Sequence, residues 1–145
     1  MATSHLELGR QGEEIAVKYL KSQGYQIVAT NCTIVLGRNL RQQPIFGELD
    51  IIAYDADVLC FIEVKTRARE DFASPEQAVD QHKQRQLIRV AQRYRQLMGV
   101  KADPYRFDVV AIVQPNASKP IIRLSKGFFK NSLEQKRAYS WHRAI

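Results

Sequence analysis

The sequence predicts one α/β domain, a central mixed sheet of about five strands flanked by helices, and three observations lead there. Runs of β-branched and large apolar residues at 25–30, 47–53, 58–65, 105–113 and 120–124 read as strands. Two longer segments, 5–23 and 74–98, instead space their apolar residues with the 3.6-residue period of a helix. The 145 residues, 45% hydrophobic and 26% charged, amount to one ordinary domain with enough chain for a core. That domain is expected over 1–126, followed by a basic tail or helix over 127–145.

In the first helix, Leu6, Leu8, Ile15, Ala16, Val17, Tyr19 and Leu20 fill one broad arc. Glu13 lies inside that arc and Glu14 outside it, facing Lys18 and Lys21 as a surface salt-bridge residue would. Glu13 therefore points toward the sheet, unless its stem packs while its carboxylate reaches out to water. Gly24 stops the helix. Within 32–46, Thr33-Ile34-Val35-Leu36 can lengthen a hairpin, which would set Arg38 and Arg41 near the mouth of a carboxylate cluster around Asp50, as phosphate contacts or as ordinary loop charges.

The next two strands are split by the turn-like Asp55-Ala56-Asp57. Side chains alternate along a strand, so Glu48, Asp50 and Ile52 share one side of the first, and Glu63 and Lys65 one side of the second. A hairpin closing near 55–58 brings Asp50 opposite Glu63, with Cβ atoms about 5 Å apart. Buried carboxylates are costly unless paired, hydrogen-bonded or metal-bound. Two at this separation suit a hard divalent cation such as Mg2+, which takes one or two protein carboxylates and completes its shell with water and phosphate oxygens. A neighbouring lysine can orient a water or stabilise charge growing on a phosphate. The simpler alternative is an ion pair on a solvated sheet face.

Beyond the hairpin, Thr66-Arg67-Ala68-Arg69 forms a basic exit, and Ser74 as N-cap with Pro75 at the first helical position predicts the second helix, ending near Met98 before Gly99. Its apolar arc holds Val79, Leu87, Val90, Ala91, Tyr94 and Leu97. Lys83 lies in the middle of that arc, and Arg85, Arg89 and Arg93 lie on the solvated side. Lys83 either snorkels past the apolar face or serves the site. In the strand at 105–113, Asp108 is expected to anchor a structural ion pair or cap a neighbouring segment.

Lys plus Arg number 22 against 15 acids, a net +7 that suits a polyanion such as nucleic acid. The two cysteines, Cys32 and Cys60, lack metal spacing and are read as reduced. No apolar run approaches the roughly 20 residues of a membrane span, and the first residues lack the pattern of a secretion signal, so a cytoplasmic protein is expected. There are no internal repeats, no Gly-rich phosphate loop and no zinc-ligand spacing.

Asp50 followed by Glu63-Val64-Lys65 resembles the active-site motif of the PD-(D/E)XK nucleases, the restriction-endonuclease-like superfamily. The wider set is Gly9-Arg10-Gln11-Gly12-Glu13, Gly24-Tyr25, Asn31, Gly47-Glu48-Leu49-Asp50, Phe61 to Arg67, and Tyr105-Arg106-Phe107-Asp108. Over residues 9–113 it is similar to the YraN-like family of small bacterial proteins, related to archaeal Holliday-junction resolvases. The 32–46 insertion departs from that pattern. The resemblance implies Mg2+- or Mn2+-dependent hydrolysis of DNA phosphodiesters, with branched DNA as one substrate class. In that scheme Asp50, Glu63 and the main-chain oxygen of Val64 hold the metal, and Lys65 positions water or neutralises the transition state. Glu13 supports the metal's water shell, and Glu48 and Lys83 are auxiliaries. Arg38, Arg41, Arg67 and Arg69 are the expected nucleic-acid contacts. A homodimer is implied only by the resemblance. The alternative is a catalytically silent nucleic-acid-binding module on the same fold.

Overall fold

The computed structural model of the chain describes residues 4–71 and 73–131. Helix α1 (His5–Ser22) is followed by strands β1 (Gln26–Arg38), β2 (Pro44–Asp55) and β3 (Val58–Arg67), helix α2 (Gln81–Leu97), and strands β4 (Tyr105–Val113) and β5 (Ile121–Phe129). The five strands form one mixed sheet in the order β1-β2-β3-β4-β5, antiparallel at every step except the parallel β3–β4 pair. Parallel neighbours need a crossover, and α2 lies within it. The α/β architecture expected from the sequence is the one observed.

Each face of the sheet buries its own apolar cluster. Ala16 and Leu20 of α1 pack with Ile51, Ala53, Cys60, Ile62, Val64, Val110 and Ile112. Leu87, Val90, Ala91 and Tyr94 of α2 pack on the other face with Leu49, Ile52, Leu59, Phe61, Phe107 and Val109. β3 and β4, with neighbours on both edges and helices on both faces, are almost wholly buried, as their continuous Val/Ile/Phe runs require. The buried Asp108 answers its expectation twice. It pairs with Arg106 at 2.7 Å, and it accepts bonds from the Gly127 N–H at 2.9 Å and the Tyr25 hydroxyl at 3.0 Å.

Several boundaries differ from the sequence reading. Ser74 and Pro75 do open a turn, with the Gln77 carboxamide accepting the Ser74 N–H at 3.1 Å, but it is a single 3-10 turn, Pro75–Ala78. The helix restarts at Asp80, whose carboxylate accepts the Lys83 N–H at 2.9 Å. Val79 is thus buried outside the helix, and Leu97 is exposed. Glu14 is exposed, as expected, but pairs with Arg10 at 2.7 Å rather than with Lys18 or Lys21. β5 continues to Phe129, past the predicted start of the tail, because Gly127 at φ +62 carries the chain onward to the stacked Phe107–Phe129 pair. The remaining tail, 132–145, lies outside the described residues.

The 32–46 insertion becomes a long β1–β2 arm. β2 pairs with β1 from Arg38↔Pro44 down to Gln26↔Tyr54, but it pairs with β3 only from Ile51↔Ile62 to Asp55↔Val58. Above Ile51 the arm separates from β3, and the sheet forks there. Arg38 and Arg41 sit at the arm's tip, where the Arg38 guanidinium donates to the Gln42 carbonyl at 2.7 Å. Six residues of β2 at about 3.4 Å each separate Pro44 from Asp50. The two arginines therefore stand about 20 Å from Asp50 along the strand, not at its mouth.

Candidate active site

The fork is where the sequence-predicted carboxylates meet. Extending the β2–β3 register by one step sets Asp50 opposite Glu63, but the backbone ladder has already ended at Ile51. The Val64 N–H, left without a strand partner, donates instead to the Asp50 carboxylate at 2.9 Å. An irregularity in β2 allows this. Leu49 and Ile52, three residues apart, pack in the same α2-side cluster, whereas strict alternation would put them on opposite faces. Between their partners on β1, Asn31 adopts φ +51. The kink turns Asp50 sideways toward β3.

Glu63 is 4% exposed and carries two lysines on one oxygen, Lys65 at 3.3 Å and Lys83 at 3.4 Å. Lys65 comes from the same strand face. Lys83 arrives because the late start at Asp80 makes it a first-turn residue of α2. The Asp50 carboxyl is pushed up to about 7 by burial first and by the Glu63 charge second, and it also shares a hydrogen bond with Glu63. Opposing these, the Val64 N–H and the Lys83 charge stabilise its anion.

Glu13 approaches from α1. Its carboxyl is raised by partial burial and by the charges of Asp50 and Glu48, and is held by a hydrogen bond with the Asn31 side chain. The sequence placed Glu13 near the sheet but assigned nothing to Asn31. The available signal was a β-poor Asn inside a strand. Glu48 does not share the face of Glu63. A Cβ on Gly47 would meet Val90 of α2, and Leu49 also packs toward α2, so Glu48 between them points to the α1 side, beside Glu13.

Two glycines, unassigned from sequence, let the helices carry these groups inward. A Cβ on Gly12 would fall 1.9 Å from Thr66 Oγ1, and one on Gly47 would fall 2.3 Å from Val90 Cγ2. Each adjoins a glutamate of the site.

Among the described residues no three His, Cys, Asp or Glu side chains are grouped closely enough to hold a metal by themselves. The Asp50–Glu63 pair nevertheless fits Mg2+ or Mn2+, which needs only one or two carboxylates when water and phosphate complete its shell. Two carboxyls in contact, one of them holding its proton toward neutrality, form a site that a divalent cation would relieve. Arg67 ends β3 on the Glu63–Lys65 face, and Arg69 pairs with Asp71. Both line a shallow pocket with Ala73, beside the site rather than inside it. No helix among the described residues is long and apolar enough to cross a membrane.

Residues 12–112 match the profile of uncharacterised protein family UPF0102. The chain is similar to a UPF0102 protein of Koribacter versatilis, 42% identical over 125 residues that cover 86% of this chain and 80% of the relative. A UPF0102 protein of Chlorobium chlorochromatii is 45% identical over 109 residues, covering 75% of this chain and 76% of its own. Among solved structures, the crystal structure of SSO0001 superposes with a TM-score of 0.46 and 17% identity, over 88% of this chain and 55% of that one.

Proposed function

The chain belongs to uncharacterised protein family UPF0102, the YraN-like family of the restriction-endonuclease-like superfamily, and from that premise we propose that it is a divalent-cation-dependent nuclease hydrolysing DNA phosphodiesters. The observation that carries the reading is the contact of Asp50 with Glu63 at the fork, with Lys65 and Lys83 beside it. A lone strand ion pair does not need a kinked neighbour strand, a second lysine from another element and a carboxyl held near pH 7.

Asp50, Glu63 and the Val64 main-chain oxygen would hold Mg2+ or Mn2+. Such an ion supplies Lewis-acid polarisation of the phosphoryl oxygens. The remaining chemistry falls to the chain's own groups. Lys65 and Lys83 lie on one side of Glu63, where an ammonium can hydrogen-bond an oxygen that gains charge as the phosphate is attacked. Glu13, its carboxyl raised by burial and by Asp50 and steered by a hydrogen bond with Asn31, would hold a water on the α1 side of Asp50. The apolar clusters on both faces fix the strands that bear these groups, so little reorganisation accompanies the reaction.

The test is incubation of the pure protein with labelled linear, flapped and four-way DNA, with Mg2+ or Mn2+, beside Asp50→Ala and Lys65→Ala. Cleavage is expected of the wild type. Asp50→Ala should lose it, and Lys65→Ala should lower the rate by about 100-fold or more while DNA affinity changes little. Cleavage that persists in both variants, or is absent from the wild type with every substrate and both metals, would overturn the reading.

A further inference from the structure

Helix α2 carries five cationic residues, Lys83, Arg85, Arg89, Arg93 and Arg95, and neither Asp nor Glu. Its formal +5 stands against +7 for the whole chain. Two of the five are engaged. Lys83 meets Glu63, and Arg95 donates to the Lys101 carbonyl at 2.7 Å while its guanidinium lies 3.7 Å from the Tyr105 ring. The other three recur every fourth residue on the solvent side, all exposed. Among the described residues none of the three meets a carboxylate, and Arg93 reaches only Gln96, at 3.5 Å. The contrast with α1 is direct, since Arg10 there has Glu14 at i+4. Like charges at i,i+4 destabilise a helix, and cations near its N-terminal end oppose the dipole. A helix that keeps such a row without counter-charges is built for an external anion.

The row also leads somewhere. Lys83 and Arg89, with Gln86 between them, line a groove of about 310 Å3 that separates α2 from the arm, over a floor of Leu36, Ile45 and Val90. From Lys83 at the carboxylates to Arg93 the helix rises about 15 Å. From Arg85 to Arg93 it rises about 12 Å, enough to meet about three successive phosphates of one strand. We infer that the outer face of α2 is a phosphate rail, with Arg85, Arg89 and Arg93 gripping the backbone of DNA that flanks the bond held at Asp50 and Glu63. The identity of that bond rests on the nuclease reading; the grip on the backbone does not.

The experiment measures binding of a fluorescein-labelled DNA duplex in EDTA across a salt series, so that no cleavage occurs. The Arg85→Gln, Arg89→Gln, Arg93→Gln triple variant is compared with a charge-matched Lys18→Gln, Lys21→Gln, Lys101→Gln variant, all six positions being exposed. Thermal melting checks that both are folded. The α2 variant should flatten the log–log salt slope by about two to three units, from roughly 0.9 per phosphate contact, and the control by less than about one. Equal flattening in both variants, an unchanged slope in the α2 variant, or a wild type that binds no DNA at low salt would overturn the rail. So would phosphatidylglycerol vesicles whose binding needs the three arginines while DNA binding does not. Arginine-dependent binding without Mg2+-dependent cleavage would fell the nuclease reading and leave the rail standing.

Discussion

Burying Asp50, and setting it beside Glu63, changes which protonation state the fold prefers. An unfolded Asp titrates near 3.8, whereas in the folded chain Asp50 holds its proton up to about 7. Its contribution to stability is therefore complete below pH 3.8 and is lost as the pH rises through about 7. Asp50→Asn should stabilise the metal-free protein at pH 8 by on the order of 2 kcal/mol and do little near pH 4, read by thermal melting. Mg2+ favours the ionised form, so its protection should be larger at pH 8 than near pH 4 and vanish in Asp50→Ala; no Mg2+ effect at either pH, with or without DNA, would remove the metal from the reading. The adjacent glutamates give a second contrast. Glu13→Gln should impair Mg2+-dependent cleavage and the Mg2+-induced melting shift, while Glu14→Gln, which removes only the Arg10 pair, leaves both nearly intact. At this scale much was legible in the sequence. The 55–57 turn sets the register that brings Asp50 to Glu63, and the helix phase separates Glu13 from Glu14. The sideways turn of Asp50 and the displacement of Glu48 were not legible, because both follow from the Asn31 kink, and strand alternation cannot report a break in itself.

Helices α1 and α2 dock on the sheet at glycines, and that decides how deeply Glu13 and Lys83 reach. Gly47→Ala would press a methyl into Val90 and should destabilise the fold by about 1–3 kcal/mol in denaturant unfolding. Val90→Ala in the same chain should recover part of the loss, since the obstructing atom is a side-chain methyl; additive losses in the double variant would show that the contact is not the cause. The start of α2 departs from its local sequence signals for a tertiary reason. Ser74 and Pro75 carry every local mark of a helix start, but the turn they open is committed elsewhere, with Pro75 buried and Glu76 held by Arg123 at 2.8 Å. Arg123 also binds Glu70, so one β5 arginine gathers both glutamates of the 68–80 connection. Tertiary partners 47 and 53 residues away are invisible to a local signal. The length of the arm was visible only as an option, since Thr33 to Leu36 read as strand-compatible but nothing local extended the pairing to Arg38.

At the scale of the whole described fold, cationic side chains flank the fork as well as the arm's tip. Arg67 and Arg69 lie just beyond Lys65 on β3's exit. Replacing both with Gln should flatten the salt dependence of DNA binding by roughly one to two units, with the smaller value expected because Arg69 already has Asp71; an unchanged slope would show that the exit strand is not part of the interface. The fork itself divides the sheet in time as well as in space. Below Ile51, β2 has neighbours on both edges and clusters on both faces, so its amides can open only with the global transition. Above it, the arm has β1 alone and the face of α2, and its residues are largely exposed. Native-state hydrogen exchange should show amides at 45–49 trading deuterium well before those at 51–55, with bound DNA slowing only the first set. Asp50 would then sit on the boundary between a fast and a slow half of its strand, facing a Glu63 fixed on the buried β3.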